Sequence, residues 1–340
     1  MSGIKLRNSV VRIGILGSGW MGSVHAGCYQ RIEGASVAGV FSRNRERAEA
    51  VAKICGAQTV VDASALLDDP DIDAIDVCVP SANHEQFVVA ALQRGKHVFC
   101  ETPFALRLTA AEAMLDAAKQ SGRLFMVGLL ERSIVQYDYV HRVALGGQLG
   151  KLLSITTYRL GSYLRSEDSR RQYADPTLEL MGLDFDFIRW LIGTPASVCA
   201  TAVETESGVP GEVCAVLTCD SGSIATVTGS GIMPNGFPFS IGFRVLFEKG
   251  AFELKTVFEG AGPPKNTLQF YPDNGGAETF AIVEHDPYEH ELRYFVDSIR
   301  GKADPGLLDA QHAYEALKLS LATLQSVKES RVIRLTANPS

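Results

Sequence analysis

Val11-Arg-Ile-Gly-Ile-Leu-Gly17-Ser-Gly19-Trp-Met-Gly22 reads as a strand, a glycine turn and the start of a helix. The apolar Val and Ile run suits a buried strand, and Met21–Ile32 continues with helical periodicity. In Gly-x-Gly-x-x-Gly, the first glycine permits a tight turn, the second lets a pyrophosphate approach the backbone, and the third packs helix on strand. The helix N-terminus then offers N–H donors to the phosphates. The glycine spacing alone is a weak signal, so the surrounding sequence has to carry the reading.

Working outward, Ser36–Phe41, Ala74–Val79, His97–Cys100 and Leu124–Gly128 also read as buried strands. Arg45–Cys55, His84–Arg94 and Ala110–Ser121 alternate with them as helices, and Thr109 with Glu112 has the form of a capping box. Such alternation predicts a parallel sheet with helices on both faces, because parallel strands need crossover connections. After about Gly150 the pattern changes. Lys151–Tyr158, Val198–Val203, Val213–Cys219, Ser223–Gly229, Ser240–Phe247 and Ala251–Leu254 read as strands with turns between them, which predicts a mainly antiparallel sheet. Helices are expected over about Thr177–Ile192, Tyr288–Arg300 and Ala310–Lys328. The fold class is therefore α/β, with a Rossmann dinucleotide-binding domain over residues 1–130. An α/β domain carrying a large open sheet follows over 131–340.

Composition narrows the function. The 340 residues carry 32 Lys and Arg against 39 Asp and Glu, a net charge of −7, which lacks the global basic field of a non-specific nucleic-acid binder. No apolar run approaches the ~18 residues of a membrane span, and the first residues do not read as a signal peptide. The seven cysteines are scattered, odd in number and without a Cys-x-x-Cys pair. That favours buried thiols in a cytoplasmic protein over disulfides or a zinc site.

The end of the second strand bears on the cofactor. NAD enzymes usually place an acid about 20 residues past the loop, on the ribose 2′-hydroxyl. Gly39-Val-Phe-Ser42-Arg43-Asn44 has none; Ser42 can donate to a 2′-phosphate and Arg43 can pair with it. NADP is the expected cofactor, with NAD as the alternative if Arg43 is only a solvated cation.

Beyond the loop, further segments resemble the glucose–fructose oxidoreductase, inositol dehydrogenase and MocA (Gfo/Idh/MocA) family. They are Val79-Pro80 with Asn83-His84, Gly95-Lys-His-Val98, Glu101-Thr102-Pro103, Gly147-Gln-Leu-Gly150-Lys, Leu183–Leu191 and Glu291–Arg300. The resemblance implies hydride transfer between a nicotinamide cofactor and a small-molecule sugar, polyol or related carbinol or ketone. It also implies homodimers or homotetramers assembled through the C-terminal sheet. Mapped onto this chain, it places Gly17, Ser18, Gly19, Trp20, Met21, Ser42, Arg43, Pro80, Asn83, His84 and Glu101 at the cofactor. No metal is implied.

Two positions depart from the family pattern. Members usually carry Glu-Lys-Pro where this chain has Glu101-Thr102-Pro103, and a catalytic His where Leu183 stands. Both differences remove proton-handling groups. Spacing of i, i+4 and i+7 puts Glu179, Leu183 and Asp186 on one face of a continuous helix, which makes Glu179 a candidate acid/base. The plain alternative is that Glu179 only complements the helix dipole. Thr102 can hydrogen-bond a carbonyl, and Tyr163, in a loop dense in Tyr and Arg (Tyr158–Tyr173), can donate to a substrate oxygen. His25 reads as a packing residue. Two other functions fit these departures: a catalytically silent dinucleotide-binding regulator, or a redox-neutral epimerase or lyase of the same fold.

Overall fold

The computed structural model describes residues 10–165, 175–259, 264–280 and 285–335. The chain forms two compact units, one of residues 1–133 with 285–314 and the other of residues 134–284 with 315–340.

The first unit is built on a six-stranded parallel sheet: β1 Val11–Leu16, β2 Ala35–Phe41, β3 Gln58–Val60, β4 Ala74–Val77, β5 His97–Cys100 and β6 Phe125–Val127. Its order, β3-β2-β1-β4-β5-β6, is that of a complete dinucleotide-binding sheet. Five strands fall where the apolar runs place them; β3 was not expected, being short and polar at the sheet edge. Ile13, Ile15, Val40, Ile75, Val77, Val98 and Phe99 are fully buried between the helical layers. The helix Arg45–Cys55 begins where Asn44 accepts a hydrogen bond from the Arg47 N–H and ends at Gly56, whose φ of 66° suits glycine. The helix Leu108–Ser121 starts one residue before Thr109, with Arg107 at its cap and no side-chain cap bond. Thr109 and Glu112 therefore form no capping box, because Thr109 already lies inside the first turn.

The first unit runs to residue 133 and also takes residues 285–314. Helix Pro287–Ile299 returns to the first unit, where Leu292, Phe295 and Val296 are fully buried and Phe295 packs 5.6 Å from Phe99. Asp286 caps that helix by accepting from the Tyr288 and Glu289 N–H groups, and Pro287 takes the first turn, where no donor is needed. A division by local composition cannot see a chain returning to an earlier domain.

The second unit has a nine-stranded sheet, β14-β13-β12-β11-β7-β10-β9-β8-β15, antiparallel except for the β7–β10 pair. Its strands are β7 Leu152–Leu160, β8 Ser197–Glu204, β9 Pro210–Thr218, β10 Ile224–Ser230, β11 Phe239–Phe247, β12 Gly250–Phe258, β13 Lys265–Pro272, β14 Glu278–Thr279 and β15 Ile333–Arg334. Alternation along β9 and β12 buries one set of side chains and leaves the other to solvent. The inner set joins Tyr137, Phe185, Phe187 and Phe243 in one core. The helix expected over Thr177–Ile192 is two helices, Pro176–Glu179 and Met181–Ile192, because Leu180 sits at φ −117°. No described helix is long and apolar enough to cross a membrane.

Phe187 is fully buried, with its ring 4.6 Å from Tyr137 and 5.2 Å from Phe243. Phe187→Ala should cost ~3–5 kcal/mol of unfolding free energy in a denaturant titration. A loss below ~1 kcal/mol would show that this aromatic cluster does not hold the unit together.

Candidate active site

In a parallel sheet all the carboxyl ends lie along one edge, and ligands bind outside that edge where the strand order reverses. Here the reversal falls between β1 and β4. Gly17, Ser18, Gly19, Trp20 and Met21 follow β1, Ser42 and Arg43 follow β2, Pro80, Asn83 and His84 follow β4, and Glu101 with Thr102 follows β5. The sequence candidates of the first unit thus lie along one edge.

The three loop glycines meet different constraints. Gly17 has φ 122°, and a Cβ there would stand 2.4 Å from the Cys78 carbonyl oxygen. A Cβ on Gly22 would stand 2.3 Å from the Gly17 oxygen, so that glycine serves close packing. Around Gly19 nothing lies within 4 Å of where a Cβ would project, so the protein itself does not require a glycine there. Gly19 caps the helix Trp20–Tyr29, which has no side-chain cap bond and no acid in its first turn. The first-turn N–H groups of a helix lack intrahelical partners, and an open glycine before them is a cradle for phosphate. These residues fit a dinucleotide, whose nicotinamide accepts or donates a hydride when bound.

Ser42 Oγ accepts from the Asn44 N–H at 3.3 Å, and Arg43 is exposed. His84, expected at the cofactor, is 1% exposed, with its ring nitrogens 2.7 Å from the Val79 oxygen and 3.2 Å from the Phe104 oxygen. Burial holds its imidazole below the ordinary value, against the pull of those carbonyls. The ring ties the β4 turn to the segment after β5. The residue follows β4, but its side chain is turned inward. Pro80 is exposed, and its oxygen accepts from the Asn83 N–H at 2.8 Å. Arg132 is buried and donates to the Leu307 carbonyl at 3.1 Å.

Beneath the loop lies a cluster that sequence reasoning did not assemble. His25, on the helix that opens at the loop, is fully buried. Its Nδ1 is 2.8 Å from Asp76 Oδ2, and its Nε2 is 2.9 Å from Glu101 Oε1. Cys78 Sγ lies 3.3 Å from the same Nδ1, and Glu291, from helix Pro287–Ile299, closes the group with Glu101 and His25. Burial alone would lower the His25 imidazole, but the Asp76 carboxylate and Cys78 outweigh it and hold it well above the ordinary range. Burial, then the Glu101 charge, pushes Glu291 well up. His25 is thus held towards its charged form beside the Asp76 and Glu101 side chains, and Glu291 towards its neutral form. One sequence signal was available: Asp76 is the lone charge in the fully buried strand Ala74-Ile-Asp-Val77. The Glu291 contact, from the far end of the chain, left no local trace.

The second unit holds the remaining candidates. Tyr163, on a short 3₁₀ turn, has its phenol pushed up by burial and then by the charges of Glu179 and Asp175. Tyr163 and Glu179 are thus brought together. Glu179, Leu183 and Asp186 do not share a helix face, because the break at Leu180 puts Glu179 on a separate helix. Asp184 is structural: it pairs with Arg159 Nε at 2.8 Å, buried, and joins its helix to β7. Arg170, Arg171 and Tyr173 lie outside the described residues. Cys28, Cys55 and Cys100 are buried as expected, but Cys199 and Cys214 are exposed on β8 and β9, because each side-chain alternation leaves one sheet face open.

An α/β sheet of this order with a fitted phosphate cradle defines a dinucleotide-binding unit. Residues 11–129 match the oxidoreductase family with NAD-binding Rossmann fold (GFO_IDH_MocA), and residues 137–253 match the GFO/IDH/MocA C-terminal domain. Inositol 2-dehydrogenase 2 of Saccharopolyspora erythraea is 30% identical, over 84% of this chain and 84% of its own. Myo-inositol 2-dehydrogenase of Thermotoga maritima is 25% identical over 96% of this chain and 98% of its own. A structure of levoglucosan dehydrogenase in complex with NADH superposes with a TM-score of 0.83 at 19% identity, covering 96% and 99% of the two chains. The chain belongs to the Gfo/Idh/MocA family, and it is a nicotinamide-dependent oxidoreductase acting on CH–OH groups.

Two measurements test this geometry. Gly19→Ala should fold as the wild type yet bind nicotinamide dinucleotide at least ~10-fold more weakly, since only the bound pyrophosphate approaches that position; unchanged affinity would move the cofactor elsewhere. Glu291 is raised above 4.5, so the folded unit holds a proton that the unfolded chain has released. Its contribution is therefore full below about pH 4.5 and is lost as pH rises through the raised value. The stability of the wild type minus that of Glu291→Gln should fall between pH 5 and 8; a difference that is flat or grows with pH would contradict a neutral Glu291.

Proposed function

We propose that this protein is an NADP(H)-preferring dehydrogenase or reductase of a small sugar, polyol or cyclic ketone, and an atypical member of its family. Thr102 and Leu183 stand where the family's catalytic Lys and His are expected, so proton handling is carried by other groups. The observation that carries the reading is the phosphate cradle at Gly17 and Gly19, followed along the same edge by Ser42 and an exposed Arg43 with no acid at the end of β2. A carboxylate there would repel a 2′-phosphate; a guanidinium pairs with one.

The substrate class is supported by relatives named inositol dehydrogenases. Trp20 and Met21 cover the cofactor beside Gly17–Gly19, Pro80, Asn83 and Glu101 line its nicotinamide half, and His84 shapes that turn. Thr102 donates to a substrate oxygen. Tyr163, held protonated, and Glu179 form the polar pair that binds substrate hydroxyls, with Glu179 as a candidate base. The open sheet of the second unit exposes Val203, Val216 and Leu246, an apolar surface suited to a homodimer or homotetramer. The working compartment is the cytoplasm.

Fluorescence titration of the cofactor-stripped protein should give tighter binding of NADPH than of NADH, by ~10-fold or more, and Arg43→Ala should remove most of that ratio. Tighter NADH binding would overturn the NADP preference. Absence of hydride transfer across a sugar, polyol and ketone panel, with cofactor bound, would overturn the enzyme reading.

A further inference from the structure

The buried cluster beneath the loop contains more polar groups than packing needs. Helix Trp20–Tyr29 brings His25, β4 brings Asp76 and the following Cys78, β5 ends at Cys100 and Glu101, and helix Pro287–Ile299 brings Glu291. One ring nitrogen of His25 and one carboxyl oxygen each of Glu101 and Glu291 lie within 4.8 Å of one another. His25 Nε2 and Glu101 Oε1 meet each other at 2.9 Å, and Glu291 Oε2, also buried, has no hydrogen-bond partner among the described residues. An unsatisfied carboxyl oxygen beside a buried pair is costly, so an arrangement of this kind points to a working group. Glu101 is the member that reaches outward: its side chain is 13% exposed, whereas those of His25 and Asp76 are fully buried. Its Oε2 accepts from the Thr102 N–H at 3.1 Å, and it follows β5 at the edge where the candidate cofactor residues lie. The carboxylate also packs against Gly128, where a Cβ would stand 3.3 Å from Oε1.

We propose that Glu101 is the catalytic acid/base of this enzyme, doing the proton work that Thr102 cannot, and that His25, Asp76 and Glu291 are positioning residues for it. This rests on the dehydrogenase reading given above. In the oxidative direction the carbinol O–H bond breaks and its proton passes to the Glu101 carboxylate. The carbinol C–H bond breaks and its electron pair leaves with the hydrogen as hydride to the oxidised nicotinamide dinucleotide. The carbinol is oxidised to a carbonyl, the dinucleotide is reduced, and Glu101 later returns the proton to water. Reduction of a ketone runs the same steps backwards. A free carboxylate is a far better proton acceptor than a threonine hydroxyl.

Several titratable groups face Glu101. His25 presents a positive charge from one helix, and Glu291 a neutral carboxyl from another. Asp76, Cys78 and Cys100 lie behind from the sheet, with the two thiols held protonated by burial. His84 faces it from helix His84–Gln93 and is held neutral by burial, and Asp286 stands beyond Glu291.

The test compares kcat and KM against pH for the wild type, Glu101→Gln, Glu291→Gln and Glu179→Gln, using the best substrate from a polyol panel with NADP+ and NAD+. Glu101→Gln should lower kcat by ~10²–10⁴-fold, far more than it weakens dinucleotide binding in a fluorescence titration. Glu291→Gln should lower kcat without moving the acid limb of the profile, because it replaces a carboxyl that is already neutral there. Difference infrared spectra should show a protonated-carboxyl band at neutral pH that Glu291→Gln loses. Wild-type turnover with Glu101→Gln unchanged, or with Glu179→Gln alone losing the rate, overturns Glu101 and leaves the dehydrogenase reading standing. A bound cofactor without wild-type turnover overturns that reading, and this one with it. An infrared band that persists in Glu291→Gln overturns the role given to Glu291. If Glu101→Gln fails to fold, Glu101→Asp takes its place: it keeps the charge but retracts it, and a wild-type kcat there overturns the proposal.

Discussion

The ion pair between His25 and Asp76 is the contact on which the first unit is organised. Both side chains are fully buried, 2.8 Å apart, and a second carboxylate, Glu101, approaches the other face of the ring. Isolated charges in such a place are strongly unfavourable, whereas removing one partner of a buried pair typically costs ~3–5 kcal/mol. The pair joins the helix that starts at the glycine loop to the strand whose end supports that loop. Cys78, two residues beyond Asp76, places its carbonyl where a Cβ on Gly17 would fall. The shape of the phosphate cradle and the charge state of the cluster are thus set by the same few residues.

That coupling orders the rest of the site. The cradle binds through backbone N–H groups, which need only an open approach. The reacting end needs a group whose proton affinity is tuned, and tuning requires burial and neighbouring charge. β4 and β5 are adjacent in the sheet, so Asp76 and Glu101 reach His25 from neighbouring strands. Helix Pro287–Ile299 is anchored to the same unit by Arg31, which pairs with Asp286 and Glu289 at 2.6 Å each. Through that helix the end of the chain contributes Glu291 to a site built mostly by its beginning.

Much of this was legible in the sequence where the signal is local. Val11–Leu16 and the glycines at 17, 19 and 22 announce a strand and a cradle, because turn geometry and burial act over a few residues. The parallel strands follow from apolar runs, and the antiparallel ones from alternation. What escaped depends on distant partners or on fine backbone geometry. Glu291 reads as an ordinary polar helix residue until folding places it beside Glu101. The break at Leu180 carries no glycine or proline, so a continuous helix from Thr177 was the natural reading, and with it a shared face for Glu179 and Asp186. Thr109 matched a capping box in letters, but the helix starts a residue earlier.

The central claim is that a permanently charged His25 holds the cradle and the proton-handling carboxylate in register. The direct measurement is the ¹⁵N resonances of the His25 ring, assigned by loss in His25→Gln and followed from pH 5 to 9 in the full-length protein. Both ring nitrogens should remain protonated across that range, because the Asp76 carboxylate, with Cys78 beside it, outweighs burial. A ring that titrates near its ordinary value of 6.5, or stays neutral throughout, would contradict the account.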